Sequence, residues 1–156
     1  MKKSLLILAC LAAFGMANAQ TALVKDAQQS FKKVKDYPEF LKVVETMTPA
    51  FSDPESAQVA FTYYVPGKAA FDVYDKYLVQ QSLGQQVDAN QIGGALLDGY
   101  NYFLKALPLD SLPDDKGKVK PKHSKDMVNT IVGHVNDFDQ VAVGFWQAKE
   151  FAKAYD

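Results

Sequence analysis

The chain contains no arginine, a single cysteine and only two histidines among its 156 residues. Each shortage removes a class of function. Nucleic-acid recognition draws on a basic face and on the guanidinium fork. This chain carries 17 lysines against 18 acidic residues, so nucleic acid is not an expected partner. The lone cysteine, Cys10, falls in an N-terminal leader, so thiol catalysis, disulfides and cysteine-ligated metals are excluded downstream of it. No glycine-rich phosphate loop and no G-x-S-x-G elbow occurs. Beyond the leader, no apolar run approaches the ~20 residues that a membrane-spanning helix needs.

The first nineteen residues carry a basic start at Lys2 and Lys3, an apolar run from Ser4 to Gly15 and a small-x-small site at Ala17-Asn18-Ala19. This is the pattern of a signal peptide cleaved between Ala19 and Gln20, and it predicts a periplasmic or secreted protein, soluble after export. Leu8-Ala9-Cys10 also has a faint likeness to a lipoprotein cleavage box, but cutting there leaves too short an apolar core. Without Lys2 and Lys3 the charge balance is 15 lysines to 18 acids, a net −3. The remaining residues, about 137, suit one domain, and a hydrophobic content of 48% can build a core.

Helical periodicity runs through that remainder. Leu23, Val24, Ala27, Phe31 and Val34 line one face of a first helix. Lys35-Asp36-Tyr37-Pro38 breaks it, and Phe40, Leu41, Val43, Val44 and Met47 give the next helix its apolar side. Ser52-Asp53-Pro54-Glu55 reads as the start of a third helix, in whose body Pro66 should cost ~3 kcal/mol and kink the backbone. The rings of Tyr63, Tyr64, Phe71, Tyr74 and Tyr77 on it read chiefly as packing. Gly84 to Val87 is a loop, and Asp88-Ala-Asn-Gln91 a capping box in which Gln91 reaches back. Leu112 to Lys122 mixes prolines, a glycine and both charges without a period, as a surface connection does. The lysines at 116, 118, 120, 122 and 125 could suit an anionic partner, but they stand next to Asp114, Asp115 and Asp126, as in a solvated loop, and no site is assigned there. From Ser124 the apolar positions Met127, Ile131, Val135, Phe138, Val141, Ala142 and Phe145 predict one helix of about 23 residues.

The last nineteen residues, FDQVAVGFWQAKEFAKAYD, set Phe138, Val141, Ala142, Phe145, Phe151 and Ala154 at a spacing that resembles the tetratricopeptide repeat. The segment Gly99, Phe103, Ala106, Leu107 and Leu109 is similar to the second helix of such a repeat. Val24, Ala27, Phe31 and Tyr37 fit a degenerate first one. Tyr63 and Gly67 match a first helix, but they lie about 20 residues further from Gly99 than a 34-residue repeat allows, which implies longer hairpin arms or an insertion.

The resemblance implies an all-α, α-solenoid fold of about three helical hairpins over residues 20–156, the last one incomplete. It implies a non-enzymatic docking protein with no cofactor, and together with the leader and the missing catalytic set this leads to the expectation of a scaffold of a Gram-negative envelope. Its partner would be a protein or an extended peptide, held in a groove lined by Lys25, Gln29, Lys32, Tyr64, Lys68, Phe71, Asn136, Asp139 and Trp146. Lysines and amides beside rings would suit an acidic peptide. The alternative is that the repeats lead into a longer enzyme or glycan-handling protein. The short final hairpin further predicts exposed apolar surface there and self-association through it. His123 and His134 offer no metal set at helical spacing, and His134 reads as a packed helix residue.

Overall fold

The computed structural model describes residues 22–114 and 116–155. Among these the fold is all-helical. The helices are α1 (22–31), α2 (Tyr37–Thr46), α3 (Thr48–Ser52), α4 (Ala60–Ser82), α5 (Ala89–Asp110), α6 (Ser124–Gly133), α7 (Asp137–Gln147) and α8 (Phe151–Tyr155). The cleavage site expected at Ala19 and Gln20 lies outside the described residues. No helix among them is long and apolar enough to cross a membrane.

The first hairpin forms where the periodicity placed it. Val24, Ala27 and Phe31 are buried from α1 and Phe40 from α2, and the Phe31 and Phe40 rings meet at 5.5 Å. Asp36 closes the turn by accepting the Glu39 amide at 2.8 Å, while the Glu39 carboxylate accepts the Lys35 amide. Two orphan donors are thereby satisfied reciprocally, and Pro38 occupies a first-turn position where its missing N–H costs nothing. Asp53 was expected to open a long helix. Instead it accepts the Ser56 amide and caps a 3₁₀ turn, Ser56–Gln58, so that α4 begins only at Ala60.

Two helices of 23 and 22 residues, α4 and α5, make the central antiparallel hairpin. The long spacing between Gly67 and Gly99 is therefore taken up by long arms, with Pro66 inside α4. Their crossing is built from a reciprocal exchange. Gly67 of α4 faces the Phe103 ring of α5, and Gly99 of α5 faces the Phe71 ring of α4; in both helices glycine and phenylalanine stand four residues apart. A Cβ added at Gly67 would lie 2.5 Å from Phe103, and one at Gly99 would lie 2.8 Å from Phe71. Each missing side chain is thus the socket for the other helix's ring, and the two rings lie 5.2 Å apart. Gly93 and Gly94 repeat the device about a turn and a half earlier in α5. Gly93 receives Phe145 from α7, and Gly94 receives Tyr37 from α2.

The helix expected to run unbroken from Ser124 divides in two. α6 ends at Gly133, and α7 starts at Asp137. His134 stands at the break. Its ring turns inward to stack on Phe71 at 5.0 Å and meet the edge of Tyr74, while Nδ1 lies 2.8 Å from Asp137 and Nε2 3.5 Å from Asp75. Asp137 and Asp139 then sit in the first turn of α7, where negative charge opposes the helix dipole. Lys149, at φ 63°, provides the left-handed residue of the turn before α8.

Asp110, the last residue of α5, ties down the start of α6 across the surface connection. Its Oδ2 accepts the His123 amide at 2.8 Å and both the amide and hydroxyl of Ser124 at 2.7 Å, and Oδ1 accepts the Lys122 amide. Burial pushes this carboxyl up, but the bonds from Ser124, His123 and Lys122 outweigh it and hold it below the usual carboxylate range. A carboxyl depressed on folding adds stability above its unfolded pKa, and that stability is lost as the pH falls through the folded value. Asp110→Ala should therefore cost about 1–2 kcal/mol at neutral pH, the usual loss for a helix cap. The gap from the parent should close on acidification. Urea denaturation at neutral and acidic pH reads both, and a constant gap would reject the ionised cap.

Candidate functional site

A hollow of 150 Å³ lies between α1 and α4, with Phe31, Val65 and Ala69 as its floor and Gln28, Lys32, Tyr64, Lys68 and Asp72 around it. Three of the expected groove residues, Lys32, Tyr64 and Lys68, thus meet there. The helical step explains the meeting on α4, since Tyr64 and Lys68 are four residues apart and share a face. Just after the end of α1, Lys32 is exposed, and its ammonium donates to Gln29 at 2.9 Å. Gln29 therefore touches the rim through Lys32.

Tyr64 is held from behind. Its hydroxyl donates to Asp126 of α6 at 2.9 Å, and its ring stacks on His123 at 4.1 Å and on Phe103 at 6.0 Å. Burial, followed by the hydrogen bond to Asp126, pushes the phenol up to about 12. It therefore stays neutral and presents a ring face, its proton already engaged. Asp72 lies 4.0 Å from Lys68. Burial raises its carboxyl above the ordinary value, and Lys68 opposes that shift. The hollow accordingly offers an apolar floor, one fixed ring and two ammonium groups, of which Lys68 has Asp72 nearby. That chemistry favours an extended segment bearing an acidic group.

The remaining expectations divide. Phe71, expected to line the groove, is 1% exposed and belongs to the core, where it fills the socket at Gly99 and lies under His134. The spacing that put it on the Lys68 face ignored the contact across the hairpin. Lys25 is exposed on α1 outside the lining of the hollow. Asn136 precedes α7, and Asp139 is exposed in its first turn. Trp146 is 62% exposed near the end of α7, with Val143 also exposed on that helix. None of these last three lines the hollow.

Sequence reasoning missed Gln28, Asp72, His123 and Asp126. Asp72 was open to discovery as the partner four residues beyond Lys68. The other three take their places through contacts between distant segments. Gln91, expected to reach back to its own helix start, instead accepts the Tyr77 hydroxyl at 2.7 Å, and that hydroxyl accepts the Tyr37 amide. Tyr37 in turn donates to Asp98, whose carboxyl is raised by burial, with the hydrogen bond from Tyr37 opposing. This network fastens α2 to the central hairpin.

Among the described residues no group of three His, Asp or Glu side chains converges as a metal site. Comparison of the chain with protein-family models, with curated proteins and with solved structures returned no match.

Proposed function

We propose that this chain is a non-enzymatic docking module of the Gram-negative cell envelope, built from tetratricopeptide-like hairpins, which holds an acidic extended segment of a partner protein in the hollow between α1 and α4. The observation that carries this reading is the convergence of Lys32, Lys68 and the fixed Tyr64 ring on one apolar-floored depression. The hairpins α1/α2 and α4/α5, followed by α6–α7 with α8, support a repeat-like order, with α4 touching α6 and α5 touching both α6 and α7. The leader supports export.

The test is direct. Short extended peptides carrying aspartate or glutamate, each paired with its asparagine or glutamine counterpart, are titrated against the protein and against a Lys32→Ala plus Lys68→Ala variant. Acidic members should bind the parent more tightly than their amide pairs, and the double substitution should weaken them by about tenfold, or ~1.4 kcal/mol. Added salt should weaken them as well. Equal binding of acidic and amide members, or no change in the variant, would overturn this assignment.

A further inference from the structure

A second depression, 290 Å³ in volume, opens between the end of α4, the start of α5 and α7. Its volume is close to the lower bound for small-ligand pockets, roughly 300 Å³. Leu78, Val87, Ile92 and Val141 supply an aliphatic lining, and Tyr74 contributes the side of a buried ring. Three side chains, Gln81, Gln140 and Gln147, bring primary carboxamides, and among the described residues no lysine or carboxylate lines the space. An occupant bearing a full charge would be desolvated there without a partner.

Gly144 of α7, which also lines this depression, supplies the second observation. Gly67, Gly93, Gly94 and Gly99 each meet an aromatic ring, and Gly133 is the last residue of α6. Gly144 is different. It sits well inside α7, it has no positive φ, and a Cβ built on it would have nothing within 4 Å. Among the described residues, neither packing nor backbone geometry asks for glycine there, although glycine weakens a helix interior relative to alanine. A glycine in such a place lets another backbone come close.

We propose that this depression is a second recognition site, separate from the α1–α4 hollow, which takes a bulky apolar side chain from an uncharged stretch of partner peptide. The aliphatic wall receives the side chain. The missing side chain at Gly144 lets the peptide backbone approach α7. The three carboxamides, each a donor and an acceptor, serve the peptide N–H and C=O groups flanking the inserted residue. The absence of lining charge selects against lysine-like or glutamate-like residues at that position. The site shares only the general docking reading with the hollow, and the two fail independently.

The smallest probes with this chemistry are N-acetyl-leucinamide and N-acetyl-phenylalaninamide, set against the N-acetyl amides of lysine and glutamate. Titrated into isotopically labelled protein and followed by NMR, the neutral probes should saturate in the millimolar range, as expected of such small ligands. They should shift the Gly144 amide and the carboxamides of Gln81, Gln140 and Gln147, and the charged pair should bind at least about tenfold more weakly. Gly144→Leu, which fills the space from α7, should abolish these shifts while the thermal midpoint stays level or rises. Gly144→Ala separates that blocking from helix propensity, and Gln140→Ala weakens binding without adding bulk. Lys32→Ala plus Lys68→Ala should leave the neutral probes unaffected. The proposal is overturned if the charged probes bind as well as the neutral ones, if shifts are confined to residues around Tyr64, if no cavity residue responds, or if Gly144→Leu and Gln140→Ala bind like the parent.

Discussion

Phe103→Ala should lower the unfolding free energy by about 3–5 kcal/mol, the range for truncating a fully buried phenylalanine. Phe103 is 0% exposed and fills the socket at Gly67. It touches Phe71 at 5.2 Å and lies parallel to Tyr64 at 6.0 Å. Collapse around the deletion is opposed from both sides, because Gly67 has no side chain to move inward and Tyr64 is pinned to Asp126. The cavity therefore persists and the upper part of the range applies. Against a total stability of ~5–15 kcal/mol, that loss removes a large share of the folded population at physiological temperature. Urea denaturation measures it. The midpoint should fall with little change in slope, while Trp146→Ala, at a position 62% exposed, should move it by less than about 0.5 kcal/mol. A loss below about 1 kcal/mol at Phe103 would mean that the α4–α5 crossing is not close-packed.

The second large effect has a sign that separates two physical terms. Gly99→Ala should destabilise the protein, although the same exchange on an unhindered helix stabilises by roughly 0.5–1 kcal/mol through propensity. The new methyl group would stand 2.8–3.2 Å from three atoms of the Phe71 ring, including the ring carbon nearest its backbone, so the ring cannot swing away from its root. Overpacking of this kind costs about 1–3 kcal/mol, which outweighs the propensity gain. Gly144→Ala is the internal control, since nothing lies within 4 Å of its Cβ and propensity acts alone. The two substitutions, identical in chemistry, should shift the denaturation midpoint in opposite directions. Phe71→Leu should partly rescue Gly99→Ala, because a shorter side chain vacates the socket. That rescue would appear as a non-additive term in a double-mutant cycle. Parallel shifts at Gly99 and Gly144, or strict additivity with Phe71→Leu, would disprove the reciprocal glycine–phenylalanine lock.

Much of the helical content could be read directly. The first hairpin has one apolar stripe per helix and a proline-bearing turn, and local chemistry is sufficient for such an element: Asp36, Pro38 and Glu39 act within four residues of one another. The same holds for Asp88, which accepts the Asn90 amide at the start of α5. α4 was harder. It buries residues around most of its circumference, from Thr62 and Val65 to Tyr74 and Tyr77, so it has no single polar face, and periodicity could not say which of its rings point outward. Hence periodicity could not tell that Tyr64 lines the hollow while Phe71, on the same helix, lies in the core.

The sequence by itself determined the helical class and the turns, because caps, prolines and apolar spacing act over a few residues. It also determined that no guanidinium is available anywhere on the chain, since a residue type that is absent cannot be supplied by folding. Only the tertiary structure decided where α4 begins, how the long spacing between Gly67 and Gly99 is absorbed, and that the helix after Ser124 breaks at His134. The last two depend on partners far along the chain, as His134 meets Phe71, Asp75 and Tyr74. The two candidate sites are of the same kind. Lys32 and Lys68 share a hollow because α1 packs beside α4, and Gly144 borders the second depression because Phe145, in the socket of Gly93, seats α7 against α5. No spacing along one helix encodes such distances, because they are set by the packing of side chains between helices.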